Sequence, residues 1–183
     1  MKRSDRALGV LLFLVLALTG CGNPSLSTEE GVVARLEIPG SGFSDLIRDD
    51  GQGFFLQPEY NSTDFSDPVT VVYSTSDHRL QKLYTKPGAL EKYGKLRILT
   101  PRGSADWHVI GVSAYDDTHL LSTYTGFQNT GNIALFLDAV KNYRTMIHDF
   151  SSEWPDTDHL LILSTHLEEN DAERFLVLAV PDN

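Results

Sequence analysis

The apolar residues of this chain fall mostly into short strand-like runs, broken by Pro, Gly and Asp clusters. Val32 to Ile38 alternates and predicts a strand, stopped by the turn signal Pro39-Gly40. Short strands are expected at Phe43 to Ile47 and Phe54 to Gln57, separated by DDGQG. Val69 to Tyr73, a β-branched run entered through Asp67-Pro68, ends in the polar stretch Ser74-Thr75-Ser76-Asp77. Short helical pieces at Arg79 to Tyr84 and Ala89 to Tyr93 precede strands at Lys95 to Thr100, Trp107 to Tyr115 and His119 to Tyr124. The period then changes. Ile133, Phe136, Leu137, Val140, Tyr143 and Ile147 recur at helical spacing and predict one longer helix, Asn132 to His148. Two last strands follow, Leu160 to Thr165 and Arg174 to Val180. Many short strands with one crossover helix predict a mostly β fold: a closed or nearly closed β-barrel with helical decoration.

The N-terminus is organised differently. Lys2, Arg3 and Arg6 precede an apolar run from Ala7 to Leu18, shorter than the ~20 residues of a membrane-spanning helix. It has the form of a secretory signal. The run ends in Leu18-Thr19-Gly20-Cys21, which resembles the lipobox of bacterial lipoproteins, where the cysteine is lipidated and becomes the new N-terminus. The expected organisation is a lipoprotein signal peptide over 1–20, lipidated Cys21 with a flexible tether over 21–31, and one barrel domain over 32–183. A lipid anchor at Cys21 implies attachment to the membrane on its extracytoplasmic face.

Composition narrows the chemistry. Cys21 is the only cysteine, so a domain that begins after it has no disulfide, no thiolate metal site and no cysteine nucleophile. The chain carries 15 basic and 25 acidic residues; removing Lys2, Arg3, Arg6 and Asp5 with the signal leaves 12 against 24, a net −12. Such a surface disfavours nucleic acid and anionic headgroups. The histidines at 78, 108, 119, 148, 159 and 166 show no metal-ligand spacing, and no metal or other cofactor is expected. His148 is read as ending the long helix, where an imidazolium suits the dipole. Asn61-Ser62-Thr63 matches a glycosylation sequon with no reason for its use in a bacterial lipoprotein.

Ile38 to Gly42, Gly53 to Ser74, Leu96 to Gly103 and the pair LILSTH and RFLVLAV, taken together, resemble the class B sortases, the cysteine transpeptidases that attach proteins to bacterial cell walls or build pili. Ile38-Pro39-Gly40-Ser41-Gly42 is similar to the family's IPGT segment, and Gly53 to Ser74 to its segment ending in the VIYGH strand. LRILTPRG (Leu96 to Gly103) resembles the strand and turn that follow. LILSTH and RFLVLAV resemble the TLSTC strand and the strand that opens with the family's arginine. The order and spacing agree across most of the mature chain. Carried over residue by residue, the resemblance puts His166 in the place of the nucleophilic cysteine and Thr75 in the place of the histidine; Arg174 alone matches. A loss falls between Ile47 and Gly53.

A sortase needs a thiolate, which attacks a peptide carbonyl near neutral pH and leaves readily from a thioester. An acyl-imidazole at His166 would hydrolyse instead. The residues leave two readings. The first is a catalytically inactive sortase-like lipoprotein whose groove, bounded by Thr75, His166 and Arg174, holds an extended peptide or sorting-signal-like segment, beside a neighbouring sortase or surface protein. The second is a serine or threonine hydrolase or acyltransferase with exchanged roles: a hydroxyl at Ser74, Thr75 or Ser76 as nucleophile, His166 as base, and Arg174 as oxyanion partner. Asp77, Glu168 or Glu169 would orient the imidazole. His78 is a further candidate base, weighed against a solvated histidine that starts a short helix.

Overall fold

The computed structural model describes residues 29–58, 61–74, 76–116, 131–141, 146–148, 154, 156–170 and 172–182. The signal, the tether as far as residue 28 and the strand expected at His119 to Tyr124 lie outside the described residues.

Among the described residues nine strands follow in chain order: β1 (Val32–Ile38), β2 (Phe43–Arg48), β3 (Phe54–Phe55), β4 (Val69–Ser74), β5 (Lys95–Thr100), β6 (Gly103–Asp116), β7 (Ile147–His148), β8 (Leu160–His166) and β9 (Glu173–Pro181). Short helices α1 (Arg79–Tyr84) and α2 (Ala89–Lys92) separate β4 from β5, and α3 (Gly131–Lys141) lies between β6 and β7. The β1–β2 turn uses Gly40 and Gly42 at φ 76° and 77°, backbone that a side chain would strain.

The sheet order is β5-β1-β2-β3-β4-β8-β9-β6-β7, and a further β5–β6 pairing closes eight of these strands into a barrel. Closure satisfies the strand edges that an open sheet would leave bare. Alternation along each strand separates two cores. Val72, Leu161, Leu163, Phe175, Val177 and Ala179 point inward with Leu36, Ile98 and Phe54, and Leu80, Tyr84 and Leu90 of α1 and α2 plug this interior. The opposite parity, Val69, Val71, Leu160, Ile162, Leu176 and Leu178, faces outward and packs under Ile133, Phe136, Leu137 and Val140 of α3. Both faces of β8 are therefore apolar, which explains its unbroken run LLIL.

α3 ends at Lys141 rather than continuing to His148. Ile147 and His148 instead pair with Val112 and Gly111. β6 outruns β5, and this uncovered edge supplies main-chain partners to a β-branched residue. Ile147 is accordingly 49% exposed instead of facing a core, and His148 does not cap a helix.

Candidate functional site

The parallel β4–β8 ladder ends with Ser74 opposite Thr165, and the antiparallel β8–β9 ladder ends with His166 opposite Arg174. The three strands thus deliver their terminal residues to one end of the barrel. Parity sorts them. Ser74 and Thr165 continue the inward set and are fully buried, whereas His166 and Arg174 continue the outward set beyond the α3 core and are half-buried. Arg174 reaches across β8 and donates from its guanidinium to the Ser74 carbonyl at 3.3 Å.

One proposed nucleophile is removed by this geometry. The Ser74 hydroxyl lies inside the barrel with no hydrogen-bond partner and no solvent contact, on the face opposite to His166. Ser76 is exposed. Thr75 lies outside the described residues.

His78 has a structural task. Its Nδ1 lies 3.0 Å from the main-chain oxygen of His166. A carbonyl only accepts, so Nδ1 carries the proton and donates. His166 is the first residue beyond the β4–β8 ladder, and the imidazole of His78 satisfies the oxygen that β4 no longer reaches.

The acids proposed to orient His166 are engaged elsewhere. Asp77 binds Arg79, accepting from its main-chain N–H and from Nε at 2.8 Å each. Arg79 also meets Asp45 and lies 4.7 Å above the ring of Phe43. Glu168 pairs with Lys82 at 2.8 Å, and Glu169 accepts from Gln81 at 2.8 Å. The Gln81 hydrogen bond, followed by a main-chain one and by the nearby His78 and Lys82 charges, holds the Glu169 carboxyl below its ordinary range.

Beneath His166 the outward face carries Ser164, fully buried with its hydroxyl unpartnered, next to Tyr73. Tyr73 stacks on Phe55 of β3 with ring centroids 5.8 Å apart. Neither Gln81 nor this aromatic pair stood out in the sequence. Asn61 of the sequon is buried and structural: its amide donates to the Val69 carbonyl at 3.2 Å and accepts from Val71 N–H at 3.3 Å. Among the described residues no cluster of three or more His, Cys, Asp or Glu side chains is arranged to hold a metal ion, and no helix is long and apolar enough to cross a membrane.

A closed eight-stranded barrel with a parallel β4–β8 pair and a helix packed over its outer face is a specific arrangement. The fold is that of a class B sortase. The class B sortase of Streptococcus pyogenes involved in pilus biogenesis superposes with a TM-score of 0.70 at 16% identity, covering 87% of this chain and 97% of that one. Sortase B from the type II pilus of Streptococcus pneumoniae gives 0.67 at 14% identity over 82% and 92% of the two chains. The Staphylococcus aureus sortase B–substrate complex gives 0.67 at 16% identity over 87% and 85%. No protein-family model matches the sequence, and no curated protein matches it significantly. At these identities the likeness is one of fold. On the sortase fold, the LST-H stretch of this chain ends β8, and Arg174 opens the neighbouring ladder position on β9.

Proposed function

We propose that this chain is a catalytically silent sortase-fold protein, held at the outer face of the membrane by lipid on Cys21, which binds an extended peptide as an accessory module of the cell envelope. The observation that carries this reading is His166 at the end of β8, directly opposite Arg174, in a chain whose only cysteine is Cys21. Without a thiol there is no thioester intermediate, and the transpeptidase cycle has no first covalent step. The outward face keeps what a binding module needs: Arg174 and His166 as polar contacts, and the half-buried Phe55–Tyr73 pair as an apolar one. With the Ser74 hydroxyl sealed inside the barrel, the exchanged-role hydrolase loses one of its three candidate nucleophiles.

The test is to incubate the purified protein with fluorogenic sorting-signal peptides, measuring binding and cleavage in parallel. Binding without turnover is expected. Turnover by the wild type that disappears in His166→Ala would establish a hydrolase instead. Anchoring is tested separately: metabolic labelling with an alkynyl fatty acid tags the wild type and not Cys21→Ser. A wild type that stays unlabelled and is released free removes the lipoprotein part of the proposal.

A further inference from the structure

One six-residue helix touches three positions around the tip that follows β8. His78, just ahead of α1, donates to the His166 carbonyl at 3.0 Å. Gln81 accepts the Glu168 N–H on Oε1 at 2.9 Å and donates from Nε2 to the Glu169 carboxylate at 2.8 Å. Lys82 pairs with Glu168 at 2.8 Å. His78 is half-buried and Lys82 exposed, but Gln81 is only 8% exposed, lying next to Leu80 of the barrel plug. A buried amide used at both ends is a directional joint that an alkyl chain of the same length does not reproduce.

The tip needs that joint on one side only. Toward β9, Leu167 is buried in the barrel interior and its N–H donates to the Glu173 carbonyl at 3.1 Å. Toward β4, the ladder stops at Thr165, so residues 166 to 169 meet α1 where β4 has ended. We infer that Gln81 is the positioning residue of the candidate site: it holds the tip against α1 and so sets where the His166 imidazole lies relative to Arg174. This rests on reading the His166–Arg174 face as the binding site, but the test below uses no ligand and stands or falls apart from peptide binding.

The experiment compares labelled full-length wild type, Gln81→Met and Gln81→Glu by NMR. It reads amide exchange at Glu168 and the imidazole signals of His166, with β4 and β9 amides reporting on the barrel. In Gln81→Met, Glu168 exchange rises about tenfold, the size of one ordinary net hydrogen bond, and the His166 imidazole signals move while the barrel stays protected. In Gln81→Glu the new carboxylate faces Glu168 and Glu169 of the tip, with His78 and Lys82 on its own side and Glu173 beyond on β9. It cannot donate to Glu169 until protonated. Burial and the facing carboxylates raise the pKa of residue 81, and Glu169 loses the amide hydrogen bond that held it low. In mild acid the two carboxyls therefore share one proton, the hydrogen bond between α1 and the tip returns, and the His166 signals move toward those of wild type at the same pH. That acid rescue also decides the matter if Gln81→Met fails to fold. Unmoved His166 signals in Gln81→Met, with Glu168 alone affected, overturn the inference and reduce Gln81 to a local brace. So does a Gln81→Glu protein whose His166 signals ignore protonation.

Discussion

The guanidinium of Arg174 ties β9 to β4 by donating to the Ser74 carbonyl at 3.3 Å, passing over the intervening strand β8. One side chain thus braces three strand ends, whatever chemistry the site performs. A charged donor on a main-chain oxygen is worth up to about 3 kcal/mol, less when half-exposed. Arg174→Ala is expected to lower unfolding free energy by about 1 kcal/mol in urea titrations. An unchanged midpoint would mean that the contact contributes nothing.

On the proposed reading, cysteine chemistry returns to this barrel only when two positions change. His166→Cys alone should give little cleavage of sorting-signal peptides, because a thiol without a base stays largely protonated at neutral pH. Thr75→His with His166→Cys should produce measurable thioester formation, detectable by mass spectrometry of the trapped enzyme. Equal activity in the single and double variants would show that position 75 does not serve as the base.

Two inward hydroxyls face each other across the β4–β8 ladder, Ser74 and Thr165, both fully buried and both unpartnered. Each unsatisfied hydroxyl costs about 1–3 kcal/mol. The double variant Ser74→Ala, Thr165→Val keeps nearly the same shape and should be at least as stable as wild type in thermal melts. A loss of more than about 1 kcal/mol would reveal a bound water linking the pair.

Acid should weaken the fold gradually. Hydrogen bonds from Gln81 depress the Glu169 carboxyl, those from Ser66 depress Asp64, and the Arg97 fork depresses Asp106. A depressed carboxyl contributes stability above its unfolded pKa and loses it as pH falls through the folded one. The denaturation midpoint should be level above about pH 5 and decline below about pH 4. These groups are exposed, so salt should flatten the decline. The opposite limit belongs to Tyr84, whose buried phenol is pushed up by desolvation and donates to the Tyr93 carbonyl at 2.9 Å. Its contribution holds below the ordinary tyrosine range near pH ~10 and is lost as pH climbs through the folded value, which an absorbance titration will register as ionisation accompanying unfolding.

The strands were legible because β1 and β5 bury one face and alternate, while β4, β8 and β9 bury two and read as nearly unbroken apolar runs. The end of α3 was not. Tyr143 and Ile147 extend the helical period, and what overrides it is the uncovered edge of β6, more than thirty residues earlier in the chain. The same reason hid Gln81: a polar residue beside Leu80 looks like an interruption until its partners, Glu168 and Glu169, are seen 87 and 88 positions away. His166 and Arg174 could be placed at adjacent strand ends from their motifs, but the sidedness that separates them from Ser74 required the register between β4 and β8. His78 read as a candidate base or a solvated histidine starting a short helix, because its acceptor is a carbonyl on the distant strand β8.

Closure of the barrel has an evolutionary corollary. β8 is paired along both edges, by β4 and by β9, so a peptide approaching it meets a wall of side chains and no open main chain to pair with. Whatever this wall selects is written in side chains, while the ladders along the two edges of β8 are built from main chain alone. Side chains of such a wall are free to drift while the architecture stays put, and this barrel, at 14–16% identity to the sortases it resembles, still superposes over more than four-fifths of its length.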